Sequence, residues 1–171
     1  MSKFNMDLTQ EELKRQITYC PITGQFNWNE RKGGRPGDGC IGRSWSAGYQ
    51  RARINGKSYQ LNRLAWLYVY GYLPPGLVDH KNHIVTDNRI ENLRLATVQQ
   101  NNMNRRIGSA NRSGIKGVSW NCRSKKWQCF VGVGGKNINV GSFSDLEEAA
   151  RAVEAARERL HGEFACHGRP S

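Results

Sequence analysis

Apolar positions along the chain change period several times, and each change marks an element. Leu8, Leu13 and Ile17 recur at helical spacing, and Thr9 with Glu12 forms a capping box, which predicts a helix from Asp7 to Thr18. Thr23-Gly24 turns the chain into a strand from Gln25 to Asn29, and the Gly-, Arg- and Lys-rich residues 31–42 read as an exposed loop. The pattern alternates from Gly48 to Ile54. Asn55-Gly56 is the strongest hairpin signal in the chain, and the return strand runs from Lys57 to Leu61. An apolar, aromatic helix follows from Asn62 to Tyr70, stopped by Gly71.

The second half has shorter elements. Leu77 to His80 reads as a strand, residues 81–93 as a polar loop with one helical turn entered at Asp87, and Arg94 to Ala96 as a second strand. Thr97 and Gln100 make a capping box for a helix. Residues 105–114 are poor in apolar positions and read as a linker. Three strands follow, about Lys116 to Trp120, Lys126 to Val133 and Asn137 to Val140, with a tight Gly134-Gly135 turn. Ser144 with Glu147 then caps a helix that runs to His161 and ends at Gly162. Its apolar face is Leu146, Ala149, Ala150, Val153, Ala156 and Leu160; its charges read as a solvated face. Trp127, Cys129 and Val131 alternate inward, Gln128 and Phe130 outward, and Trp120, Trp127 and Phe143 read as core. The expected fold class is α+β, with a first domain over 1–106, a linker over 107–113 and a small second domain over 114–165.

Composition narrows the function. The net charge is +12, the isoelectric point is near 9.9 and the mean hydropathy is −0.71, which favours a polyanionic partner over a membrane or a small molecule. Residues 107–143 carry six Lys or Arg and no Asp or Glu, whereas residues 144–171 carry four basic and six acidic residues. One surface of the second domain is therefore positive and its other side is scaffold. Cys20, Cys40, Cys122, Cys129 and Cys166 form no Cys-x-x-Cys pair and read as reduced thiols. The best apolar run, 64–78, is broken by Gly71, Pro74, Pro75 and Gly76 and falls short of the roughly 20 residues a membrane span needs. No secretory signal pattern is seen at the N-terminus.

The chemistry concentrates in the centre. His80 is a natural general base, because an imidazole titrates near neutrality, and Asp79 offers a hard oxygen suited to Mg²⁺ or Mn²⁺. Adjacent strand residues point to opposite sides, so one can hold metal while its neighbour holds water. Asn101, in the first turn of the capped helix, is a candidate second metal ligand. Asn92 is placed to orient the imidazole or the loop that carries it. Together with Asp87-Asn88-Arg89, Leu93 and Thr97, this pattern resembles the HNH endonucleases of the ββα-metal fold, in the form found in phage homing and nicking enzymes. The resemblance covers about Leu61 to Asn104. It implies His80 as base, Asp79 and Asn101 as metal ligands, and Asn92 as the residue that orients the base. The upstream segments Tyr19, Thr23-Gly24, Phe26 to Trp28, Gly48-Tyr49 and Asn62-Arg63-Leu64 also look like these enzymes. Asn62 stands where the family usually has His, and His83 stands where a small residue, often Gly, is common; His83 is also a second base candidate.

Gly117-Val118, Trp127, Gly141, Phe143, Glu148-Ala149-Ala150 and Leu160-His161-Gly162 resemble the Apetala-type (ethylene-response-factor) DNA-binding domain, over about Ser113 to Phe164. That resemblance implies a three-stranded sheet backed by one helix, with the sheet in the major groove. Lys116, Arg123, Lys125 and Lys126 are the candidate phosphate contacts; Gln128, Asn137 and Asn139 are the candidate base-edge readers. Arg63 and Arg89 are candidates for clamping backbone phosphate near the metal. The expected activity is metal-dependent cleavage of duplex DNA by a monomer, nicking one strand per active site, by a phage-encoded protein in the cytoplasm of a bacterial host. A non-catalytic DNA-binding regulator and an RNA-binding module are the alternatives.

Overall fold

The computed structural model describes residues 8–30, 41–44, 48–105, 107–108 and 111–168. The chain divides into two compact units, Met1–Leu95 and Ala96–Ser171, and the class is α+β, built from small antiparallel sheets and a few helices.

In the first unit, helix α1 spans Gln10–Gln16, and Thr9 Oγ1 accepts the Glu12 N–H at 3.2 Å. The helix is shorter than its apolar period predicts. β-branched Ile17 and Thr18 leave it for strand β1 (Ile17–Tyr19), which pairs with β2 (Phe26–Trp28). Leu13 and Ile17 nevertheless enter the same core, so the apolar stripe survives the change of conformation. Strands β3 (Arg43–Ser44), β4 (Gln50–Ile54) and β5 (Lys57–Gln60) form an antiparallel sheet in that order. Asn55 and Gly56 take φ of 49° and 79°, the left-handed pair a two-residue hairpin needs. Helix α2 (Leu61–Tyr70) buries Leu61, Leu64, Ala65 and Leu67 against Leu13, Ile17, Phe26 and Ile54 and stops at Gly71. Most of the expected 31–42 loop, residues 31–40, lies outside the described residues.

Strand β6 (Leu77–His80) pairs with β7 (Leu93–Ala96), and the polar loop between them starts and finishes with the Lys81 N–H donating to the Asn92 carbonyl at 2.9 Å. The helical turn of this loop is a 3-10 turn at Ile90–Asn92, later than expected, because the Asp87 carboxylate is drawn to the Arg89 N–H and guanidinium instead of opening a helix. Asn62 is buried, and its amide donates to the Val78 carbonyl at 2.8 Å, which fixes α2 to β6.

The second unit begins with helix α3 (Val98–Met103), whose Thr97–Gln100 capping box forms as expected. Strands β8 (Val118–Asn121), β9 (Lys126–Val133) and β10 (Lys136–Phe143) are ordered β10-β9-β8, with a register shift between Asn139 and Gly141. Helix α4 (Leu146–His161) packs Ala149, Val153 and Ala156 on Val118, Cys129 and Val131. Its cap is Asp145, accepting from the Glu148 N–H at 2.8 Å, one residue beyond the expected Ser144. Both residue types cap well, and the charged acceptor wins at a helix N-terminus. Two further expectations are corrected. Trp120 is 46% exposed, edge-on to Trp127, and only Trp127 and Phe143 pack on the core. Arg157 does not belong to a solvated helix face: it is 1% exposed.

Within the expected linker, Arg106, Ser109 and Ala110 lie outside the described residues. Its end is ordered: Ser113 Oγ donates to the Val118 carbonyl at 2.7 Å and the Asn111 amide to the Ile115 carbonyl at 2.9 Å, which builds the entry to β8. Cys20, Cys122, Cys129 and Cys166 are free thiols, and Cys40 lies outside the described residues. No helix of the described residues is long and apolar enough to cross a membrane.

Gly24 (φ +73°) brings the β1–β2 turn against the central loop: a Cβ there would stand 2.6 Å from the Arg89 nitrogen and 2.7 Å from the Asn88 carbonyl carbon. Gly24→Ala is expected to lower stability in urea unfolding by about 3 kcal/mol, from steric clash added to left-handed strain. Gly56→Ala, with the same sign of φ but open space around it, is expected to lose only about 1 kcal/mol. Equal losses would show that contact with the loop is not what Gly24 provides.

Candidate active site

Strand β6 carries Val78, Asp79 and His80, all buried, and the loop that follows supplies their partners. Asp79 Oδ2 accepts from Arg94 on β7, from Nε at 3.0 Å and Nη2 at 3.0 Å. The two side chains are only 9% and 10% exposed, so the guanidinium is what makes a carboxylate tolerable there. Sequence reasoning missed Arg94, although the opposed strands 77–80 and 94–96 were visible and an arginine facing an aspartate across them was the signal.

His80 faces a different set of groups. Its Nε2 lies 3.4 Å from Asn88 Oδ1, the Tyr49 ring stands 6.0 Å from its own, and only 3% of the residue is exposed. Burial pushes its pKa below the ordinary histidine range, against the raising effects of Asn88, Asp79 and Asp87. Burial thus favours the neutral ring, the form a general base requires. Asn88 is itself 2% exposed. Its amide donates to Gln50 Oε1 and to the Thr86 carbonyl, each at 3.3 Å, and its own carbonyl accepts from the Tyr19 hydroxyl at 2.7 Å.

Asn92 bonds to the loop that carries Asn88. Its Oδ1 accepts the Asn82 N–H at 3.0 Å, and its amide donates to Asn82 Oδ1 at 3.0 Å and to the Asp87 carbonyl at 2.8 Å. Asn88 Oδ1 is the carboxamide oxygen seen beside the imidazole, at 3.4 Å. Arg89 pairs with Asp87, Nε to Oδ1 at 2.9 Å and Nη2 to Oδ2 at 2.8 Å, and with Glu91 at 2.7 Å. Arg63 donates to the Gly76 carbonyl at 2.7 Å and the Pro74 carbonyl at 2.6 Å. Both candidate phosphate clamps thus hold the protein's own backbone and carboxylates. His83 sits at φ +62°, which explains why a small residue suits that position.

In the second unit, Asn101 lies on α3, partly exposed, its N–H bonded to the Thr97 carbonyl at 2.9 Å. The β8–β10 register aligns Ser119, Gln128 and Ser142 in one row, Phe130 beside Asn139, and Gly132 beside Asn137, on the side away from α4. Arg123, Lys125 and Lys126 are exposed at the β8–β9 turn. Lys116 departs from its expected place on that surface. It is half-buried, with its ammonium on the carbonyls of Met103 and Arg105, and burial pushes its pKa below the usual lysine range. A cation at those carbonyls closes the C-terminus of α3.

Residues 59–103 match the family model described as HNH endonuclease. A protein of Acanthamoeba polyphaga mimivirus, called uncharacterized HNH endonuclease L560, is 30% identical over 147 residues, which cover 85% of this chain and 68% of that one. The chain belongs to the HNH endonuclease family. Protein 3.8 of Escherichia phage T7 is 35% identical to this family member over 101 residues, covering 58% of this chain and 83% of the phage protein. Among solved structures, the HNH homing endonuclease I-HmuI, described for its binding and cleavage of DNA, aligns with a TM-score of 0.37 at 25% identity, over 48% of this chain and 47% of that chain.

Two measurements test this geometry. Arg94→Ala is expected to lower stability by about 3 kcal/mol in urea unfolding, since it removes one partner of a nearly buried ion pair; a change under about 0.5 kcal/mol would mean the pair does not hold the strands. The second is a pH profile. The Arg89 guanidinium on Asp87 is the main cause that lowers its carboxyl to about 2, from 3.8. A depressed carboxyl stabilises the fold above about pH 3.8, and that contribution is lost as pH falls toward about 2. Because Arg89 is 41% exposed, the effect is discounted to about 1 kcal/mol. Asp87→Asn should remove this segment of the acid-unfolding curve, lowering stability by about 1 kcal/mol above about pH 4 and leaving the slope above about pH 5 unchanged.

Proposed function

We propose that this HNH family member is a DNA endonuclease that hydrolyses phosphodiester bonds in duplex DNA with a divalent cation, Mg²⁺ or Mn²⁺, cutting one strand per active site. The observation that supports this most is the placing on β6 of an imidazole beside the Asn88 amide, next to a carboxylate held by Arg94.

The donor chemistry fits a hard cation. Asp79 offers a carboxylate oxygen and Asn101 an amide oxygen, both hard donors of the kind Mg²⁺ and Mn²⁺ prefer. When bound, the ion neutralises charge on the phosphoryl oxygens and stabilises the departing alkoxide. His80 accepts the proton of the attacking water as its oxygen forms the new bond to phosphorus and the bond to one ester oxygen breaks. Asn88 keeps the ring in place, and Asn92 holds the loop that carries Asn88. The reading assigns cleavage to residues 1–106 and recognition to an Apetala-like domain at 114–165, joined by 107–113. Gln128, Asn137 and Asn139 would meet base edges, and Arg123, Lys125 and Lys126 phosphates. The protein would act as a monomer on DNA, as a homing-type enzyme of phage origin in the host cytoplasm.

One observation favours a second reading. At 3% exposure, His80 meets a water molecule only when the groups around it give way. A scaffold of this shape that binds DNA without cutting it would have no need of an accessible base. Supercoiled plasmid incubated with protein and Mg²⁺ or Mn²⁺ separates the two. The expected result is nicked circles, none with EDTA, and a rate at least about a hundredfold lower for His80→Ala. Binding in a gel-shift assay with no nicking in either metal would establish the regulator and refute the nuclease.

A further inference from the structure

We propose that the second unit contains a pocket for a single unpaired deoxynucleotide. The cavity has a volume of about 840 Å³ and is bounded by α3, the 132–137 end of the sheet and the last turn of α4. That volume lies within the range usual for small-ligand sites. No Asp or Glu lines it, whereas Lys116, Lys136 and Arg157 do. Two of these cations are fixed in place: Lys116 on the α3 carbonyls, and Arg157, 1% exposed, on the Lys116 carbonyl and the His167 ring. Fixed positive charge in a wall without carboxylates favours an anionic ligand.

The same wall can read more than charge. His161 is 9% exposed, and its Nε2 lies 2.9 Å from the Gly132 carbonyl. A carbonyl only accepts, so Nε2 carries the hydrogen, and a neutral ring then presents Nδ1 as an acceptor. Nδ1 is buried without a partner among the described residues, in a side chain that lines the cavity. Gln99, Asn102 and Asn137 add carboxamides, each with a donor and an acceptor, the pairing that matches the edge of a base. Phe130 adds apolar surface, and Gly132, Gly134 and Gly135 leave the rim free of side chains. Phosphate suits the cations, and a base edge suits the amides and the imidazole. Neither an inorganic anion nor an apolar ligand would use both halves of the wall.

The ligand chemistry has two sources, a free nucleotide or a base swung out of a DNA strand. The test uses the full-length protein in EDTA, so it is independent of cleavage. The two probes are 2-aminopurine deoxyriboside 5′-monophosphate and a duplex with 2-aminopurine opposite an abasic site, each followed by fluorescence. At least one probe is expected to titrate to saturation, and Gln99→Ala with Asn102→Ala, neither of them assigned to the duplex-reading face, to weaken it about tenfold. Both side chains are exposed, so the fold survives their loss, which circular dichroism verifies. The ring resonances of His161 should shift on saturation. Tighter binding to the duplex identifies a swung-out base, and binding of the monophosphate alone identifies a free nucleotide; either upholds the pocket. Failure of both probes to saturate, unchanged affinity in the double variant, or displacement by equimolar inorganic phosphate overturns it.

Discussion

The candidate site depends first on the buried carboxamide of Asn88. Asn88 reaches the Tyr19 hydroxyl through its own carbonyl, Gln50 and the Thr86 carbonyl through its amide nitrogen, and the His80 ring through its amide oxygen. These partners come from β1, β4, the central loop and β6. A polar group so enclosed is destabilising unless its hydrogen bonds are made, so the loop has one way to close that satisfies it. The Gly24 turn presses on the same residue from outside, where any side chain would collide. The position of the imidazole is thus set by elements some 60 residues away in sequence.

Positive charge is used in two ways. Arg63, Arg94, Lys116 and Arg157 turn inward, onto carbonyls or the Asp79 carboxylate, and brace elements that have few apolar residues to spare. Arg123, Lys125 and Lys126 remain exposed at one turn. Net charge alone cannot distinguish these groups, because a guanidinium that closes a backbone gap counts the same as one that meets solvent. The outward cations share their turn with a sheet face of Ser, Gln and Asn, where neutral amides and hydroxyls avoid repelling a polyanion.

Much of this was legible beforehand. The Asn55-Gly56 hairpin, the α2 stop at Gly71, the Thr97 capping box and the inward alternation of Trp127, Cys129 and Val131 follow from local rules, and all are found. Errors came where two local signals competed: Ser144 and Asp145 both cap well, and Ile17 satisfies a helical stripe and a strand equally. Site residues that act through sequence-distant partners were the least legible. Asn88 and His161 stand inside recognisable motifs, but their contacts, like those of Arg94 and Arg157, emerge only when strands and loops are brought together. The contacts of Lys116 were illegible for the same reason, since its partners are carbonyls and a carbonyl leaves no mark in a sequence.

His83 shows how torsion can disguise itself as chemistry. An imidazole three residues beyond His80 invites a catalytic interpretation, yet its backbone is left-handed, where any branched side chain would be strained. Among related chains, turnover at this position should follow tolerance of that dihedral: glycine, asparagine and aspartate would be interchangeable with histidine there, and valine or isoleucine absent, whatever reaction the fold performs.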